Sequence, residues 1–309
     1  MTACSARAAA PVADDATRCA PVSVRRGEPV HATASRVDRW LVVEQPGPWG
    51  RDALLESGLD HLVARSLHAQ GRRHGVRILL ARRPGWEDAP GRRRVHLART
   101  LPGGGWIEHL DVDVADLRAL DLRVLRADGP PGLGSPGPHP LLLVCTNGRH
   151  DPCCADLGRP VIRALAKAGV ADVWESSHVG GDRFAANVVA LPSGVYLGRV
   201  PPAAAETMLR DLAAGVVDLD HYRGRSCFPP LVQAAEIAAR RELDERRLDA
   251  VRLRAVDAFG DDEITATFGH ATGDVVARVR RRRGDRERLT CGDAWGRPWV
   301  YDVVALHRR

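Results

Sequence analysis

The sequence predicts an α/β protein made of two layered lobes in tandem, followed by a small α+β appendage. Three observations lead there. At 309 residues the chain is long for a single packed core. An order of strand, helix, strand and hairpin occurs twice along it. Between the two occurrences lies the Gly- and Pro-rich stretch GPPGLGSPGPHP, residues 129–140, with the composition of a linker.

The elements follow in order. Residues 1–36 lack sustained periodicity and read as a flexible leader that docks locally at most. The first lobe, residues 37–128, opens with the apolar strand WLVVEQ and the turn PGPWGRD. A helix over ALLESGLDHLVARSLHAQGRRHG and a second strand, VRILLARR, come next. The segments RRVHLART and WIEHLDV, joined by LPGGG, read as a hairpin, with a short helix near Ala115–Leu120. The second lobe, residues 139–222, repeats the order: strand LLLVCT, helix RPVIRALAKAG, strand ADVWESS, hairpin NVVALPSGVYLGRV and helix PAAAETMLRDLAAG. Strand, helix, strand, hairpin, helix is the plan of a thioredoxin-like sheet with helices across it, so the halves are expected to form a structural pseudo-repeat. Residues 226–309 make the appendage: one long helix or a helix pair from Leu231 to about Phe259, then two or three alternating strands.

Composition narrows the function. Hydrophobic residues at 44% and charged residues at 27% fit a soluble globular chain and exclude a wholly disordered, collagenous or membrane-spanning one. No apolar run reaches the roughly 18 residues a transmembrane helix needs, and Pro11, Asp14 and Asp15 interrupt the N-terminal alanines, so a cytoplasmic protein is expected. The net charge of +6 arises from arginine, since Lys167 is the one lysine in the chain, and a nucleic-acid partner is not expected. The run Arg278–Arg283 reads as a solvated strand end, with a patch for an acidic partner as the lesser reading. No phosphate-binding Gly-Lys-Ser/Thr, His-Glu-x-x-His or Gly-x-Ser-x-Gly motif is present.

The cysteines carry the chemistry. Seven is an odd number, and of them Cys145, Cys153 and Cys154 crowd together, while Cys4, Cys19, Cys227 and Cys291 are scattered. Cys291 and His270, alone on strands, read as packing residues. Cys145 ends a buried strand, and Cys153 and Cys154 sit at the mouth of the next helix, where unpaired N–H groups and the dipole stabilise thiolate. Cys145 and Cys154 are nine residues apart, a spacing that can bring two sulfurs onto one metal centre, whereas vicinal Cys153 and Cys154 point apart and do not easily bind the same iron. His178 and Asp182 leave the neighbouring strand at the same edge, with Gly180 and Gly181 bending the chain between them.

These residues resemble the sucrase/ferredoxin-like family. The matching segments are VCTNGRHDPCC, ESSHVGGDRFAANVVALPSGVYLGRV and HYRGRSCFPPLVQAAE, with PGPWGRDAL in the first half, and the likeness covers nearly all of residues 38–240. The resemblance implies a 2Fe-2S cluster on a thioredoxin-like domain, held by two cysteines and two histidines. Cys145, Cys154 and His178 match ligand positions, and Asp182 stands where the family has its second histidine. Three outcomes follow: Asp182 ligates, Cys153 or His150 substitutes, or the cluster is absent. With Asp182 as ligand the oxidised centre carries a net −1 instead of zero, which implies a lower potential and one protonatable imidazole in place of two. The expected function is single-electron transfer with an unidentified redox partner protein, not sugar hydrolysis. The rival readings are a zinc site on the same residues, a thiol redox sensor using Cys153 and Cys154, and a cluster-free scaffold.

Overall fold

A computed structural model describes residues 17–85, 91–292 and 294–309; Cys4 and the first sixteen positions of the expected leader lie outside the described residues. The chain enters through a short helix, α1 (Cys19–Arg25), and then lays down β1 (Arg39–Glu44), α2 (His61–His74), β2 (Val76–Arg82), β3 (Arg92–Arg99) and β4 (Trp106–Asp113). Two 3-10 turns, Val114–Ala119 and Leu122–Arg126, precede the short β5 (Ser135–Pro136). The second half supplies β6 (Leu141–Cys145), α3 (Pro152–Lys167), β7 (Val173–Ser176), β8 (Val188–Leu191), β9 (Val195–Leu197), α4 (Ala205–Ala213) and β10 (Tyr222–Arg225). After α5 (Pro230–Leu243) come β11 (Arg252–Ala258), β12 (Glu263–His270), β13 (Gly273–Arg283), β14 (Glu287–Arg288), β15 (Trp295–Gly296) and β16 (Trp299–Arg308).

Strands from both halves form one mixed sheet in the order β10-β9-β8-β6-β7-β2-β1-β3-β4-β5. Outward from its middle, β2-β1-β3-β4 is mirrored by β7-β6-β8-β9, and each half pairs its first two strands in parallel and the rest antiparallel. The halves meet edge to edge, β2 against β7, with Ala81 opposite Ser176 and Arg82 opposite Glu175. The Arg82–Glu175 ion pair at 2.7 Å closes that seam. The Gly/Pro stretch does not hang free. Within it Gly132 and Leu133 donate backbone N–H groups to Glu108, and Ser135–Pro136 pairs with β4.

Burial explains the apolar run at the centre. In β6, Leu142 and Val144 pack against α3 and α4, while Leu141, Leu143 and Cys145 face a second apolar layer that includes Trp40, Val42, Trp174 and Tyr196. A strand covered on both faces has no polar side to display, so LLLVC reads as continuous rather than alternating. In the first half, Leu41 and Val43 of β1 pack on Val63, Ala64 and Leu67 of α2.

Three expectations are corrected. The first helix begins at His61 rather than near Ala53, because the Asp60 carboxylate caps it by accepting from the Leu62 and Val63 N–H groups. Residues 252–258 are a strand, not the end of a long helix: Asp244, at φ 52°, closes α5 in the left-handed region, and the appendage is a four-stranded sheet in the order β11-β12-β13-β16. Residues 17–36 are packed rather than loose, with Cys19, Ala20, Val30, Ala32 and Ala34 buried. No helix among the described residues is long and apolar enough to cross a membrane.

Candidate metal centre

Cys145 is the last residue of β6 and is fully buried. The chain then turns through Asn147–Arg149 and starts α3 with Asp151 as N-cap, its carboxylate accepting from the Cys153 N–H, and Pro152 at the first helical position. The expected helix start at Arg159 therefore moves back by two turns, and Cys153 and Cys154 lie inside the first turn instead of before it. α3 approaches β6 closely enough to bring Cys154 to Cys145 because residue 158 is glycine: a Cβ there would stand 2.2 Å from the Cys145 carbonyl oxygen.

The third strand end completes the group. After β7 the chain runs through Ser177 and His178 into Gly180 and Gly181, both at positive φ, and returns at Asp182. His178 Nδ1 lies 3.9 Å from Cys145 Sγ, 3.8 Å from Cys154 Sγ and 3.1 Å from Asp182 Oδ1. Asp182 Oδ1 is in turn 3.5 Å from Cys154 Sγ. The donor atoms of Cys145, Cys154 and His178 all fall within 4.8 Å of one another, as do those of His150, His178 and Asp182. Cys145, Cys154 and Asp182 are buried, and His178 is the partly exposed member.

Electrostatics treats the two thiols unequally. A hydrogen bond from Cys154 holds the Cys145 thiol well below the usual range, with His178 reinforcing it against burial. The same hydrogen bond pushes Cys154 well above its usual value, and burial adds to it. Arg223, near enough to interact electrostatically with Asp182 and Cys145, is buried and donates to the Gly180 carbonyl and the Asn187 side chain at 2.9 and 2.7 Å, and to Thr33 Oγ1 at 3.0 Å. Burial lowers its pKa to about 10, which still leaves it charged at neutral pH. A Cβ on Gly181 would meet Nη2 of Arg223 at 2.3 Å, so the glycine is required by contact as well as by its φ of 83°.

The first half supplies the outer wall. The His150 ring stacks on His178, with centroids 3.7 Å apart and planes 12° from parallel. His150 Nδ1 is 3.2 Å from the Arg51 carbonyl, Asn147 donates to the Gly50 carbonyl, and Arg77 donates to the His178 carbonyl at 3.0 Å. A cleft of about 450 Å³ lined by Arg51, Glu56, Arg77, Asn147, His150 and His178 opens onto the two imidazoles.

Of the residues singled out from sequence, Cys145, Cys154, His178, Asp182 and His150 come together. Cys153 does not: its sulfur faces Cys19 and Cys291, at 3.7 and 3.5 Å, which removes it as a substitute ligand in this arrangement. Arg223, Asn187 and Arg77 were not foreseen. Arg223 lies in HYRGR, and nothing local in that segment distinguishes a buried arginine from a solvated one. Two thiols, an imidazole and a carboxylate on three neighbouring crossings form a donor set suited to a borderline or soft metal centre, iron with sulfide or zinc.

Residues 30–224, well over half of the chain, match the family model described as sucrase/ferredoxin-like. No curated protein and no solved structure matches the chain.

Proposed function

Because the chain belongs to the sucrase/ferredoxin-like family, we propose that it is an iron–sulfur redox protein whose 2Fe-2S cluster is held by Cys145, Cys154, His178 and Asp182. The observation that carries this reading is the meeting of both thiols and the imidazole within 4.8 Å at one end of the sheet. Such a cluster supplies reversible one-electron chemistry. Cys145 and Cys154 hold the buried side and exclude water, Asp182 adds a hard anionic donor, and His178 stands at the accessible edge. His150, stacked on that edge, shields the imidazole and lines the cleft where a redox partner protein approaches. Arg223 fixes the loop between His178 and Asp182 and places a positive charge behind a negative centre.

The same reading takes each half, residues 37–128 and 139–222, as a thioredoxin-like lobe. The repeated strand order supports it, with only the second half bearing ligands. The six described cysteines are free thiols, in keeping with a reducing, cytoplasmic setting.

A single zinc ion is the second reading, favoured by the compactness of the Cys145–Cys154–His178 trio, whose donor atoms all lie within 4.8 Å of one another. Iron and acid-labile sulfide analysis, with electron paramagnetic resonance of the dithionite-reduced protein purified anaerobically, separates the two. Two irons and two sulfides per chain with a reduced-state signal support the cluster. A colourless protein with stoichiometric zinc at these residues overturns it.

A further inference from the structure

Three thiols outside that centre converge on the start of α3. Cys19 opens α1, Cys153 lies in the first turn of α3, and Cys291 lies in the connection between β14 and β15. Their sulfurs form a near-equilateral triangle with sides of 3.7 Å (Cys19–Cys153), 3.5 Å (Cys153–Cys291) and 3.5 Å (Cys291–Cys19). The Asp151 carboxylate caps one side, with both oxygens 3.7 Å from the Cys19 sulfur, and all four donors lie within 4.8 Å of one another. Tetrahedral zinc with Zn–S distances of about 2.3 Å places neighbouring sulfurs about 3.8 Å apart, close to the triangle seen here.

We infer that Cys19, Cys153, Cys291 and Asp151 form a structural zinc site, separate from the Cys145–Cys154–His178 centre. A donor set dominated by thiolate selects against calcium and magnesium. Three mutually adjacent sulfurs cannot all be satisfied by disulfide bonding, since one is always left over. The frame is already built: the Asp151 carboxylate accepts the Cys153 N–H at 2.9 Å and the Cys291 N–H at 2.7 Å, and the Cys19 N–H points at the Cys291 sulfur at 3.4 Å. Arg288 joins the same two chain ends just outside, donating to the carbonyls of Thr17 and Cys291 at 2.7 and 2.8 Å. Three thiolates and one carboxylate leave the loaded site at −2, a charge placed against the N-terminus of a 16-residue helix and beside Arg18. Zinc enters as thiol protons leave, so the step is an ion exchange without change of oxidation state. The ion would fasten α1 and the C-terminal hairpin to the turn that also presents Cys154, across positions 272 residues apart.

The test compares metal content by mass spectrometry in the full chain, in Cys19→Ser and Cys291→Ser, and in Cys227→Ser, whose thiol lies in a different cluster. Loss of one zinc equivalent in the first two variants, with zinc kept in Cys227→Ser and iron and sulfide unchanged in all, supports the site. Because either serine variant could fail to fold, the unmodified protein is also alkylated with and without a zinc chelator, and the labelled peptides are identified. Cys19, Cys153 and Cys291 becoming reactive together on chelation supports the site. Unchanged zinc in both variants, equal alkylation with and without chelator, or a disulfide between two of these residues in the purified protein overturns it. Zinc is read here independently of iron, so failure of this site and failure of the iron–sulfur reading give different results.

Discussion

Gly158 of α3 rests directly on the carbonyl oxygen of Cys145, the residue that ends β6. This contact sets the spacing between the strand that bears one thiol and the helix that bears the other. Replacing Gly158 by alanine brings a helix-propensity gain of up to about 1 kcal/mol but forces a methyl group into backbone that cannot yield, at a cost of about 1–3 kcal/mol. The clash outweighs the gain. Gly158→Ala is expected to lower the urea midpoint and to reduce metal bound per chain, and a variant as stable and as fully loaded as the parent would contradict the role given to this contact.

The charge at Asp182 should be visible in the potential. If the proposed cluster is held by Asp182, Asp182→His exchanges a carboxylate for a neutral imidazole and would make the oxidised centre less negative by one unit, so reduction would become easier and the midpoint potential would rise. Redox titration of the assembled protein measures it. An unchanged midpoint would show that Asp182 is not a ligand.

Glu236 and Arg240 form an ion pair with both side chains fully buried, 2.9 Å apart; Tyr222 donates to Glu236, and Arg240 donates to the Arg247 and Leu248 carbonyls. Removing one partner strands the other charge. Glu236→Ala is expected to cost about 3–5 kcal/mol, and the double change Glu236→Leu with Arg240→Met should cost less than Glu236→Ala alone. Denaturant unfolding of the three proteins checks the order.

His96 predicts an acid-sensitive fold. Its ring is buried on β3, neither nitrogen has a hydrogen-bond partner, and the ring meets Trp174 edge-on at 5.4 Å. Burial, aided by the nearby charge of His109, lowers its pKa from 6.5 to about 3. Below pH 6.5 the unfolded chain takes up a proton that the native state refuses, so the stability present above that pH is lost as pH falls toward 3. The slope from this residue is at most about 1.4 kcal/mol per pH unit. His96→Phe should flatten the decline of the melting temperature between these limits, and an identical decline in both proteins would rule His96 out as its source.

The first centre was legible because its residues punctuate regular elements: Cys145 closes an apolar run, Cys154 follows a cap and a proline, and His178 precedes paired glycines. The leader and the appendage were not legible. Cys19 and Cys291 looked solitary because what unites them is contact across 272 positions, which leaves no local spacing to read. β11 resembles helix in sequence because nearly all its side chains are exposed and three of the seven are charged, and an edge strand open to water has no buried face to mark an alternation. Near Ala53 the helical pattern ran on past its true start. There the chain instead loops outward, and carbonyls at Gly50 and Arg51 reach Asn147 and His150.

The seam between β2 and β7 makes the halves inseparable in practice. A fragment beginning after the Gly/Pro stretch would carry every candidate ligand of the first site yet leave β7 with a bare row of amide and carbonyl groups, an invitation to pair with a second fragment. It would also be stripped of Arg77 and of the loop that braces His150. The half without cysteines in its strands therefore acts as the template that covers this edge of the other half.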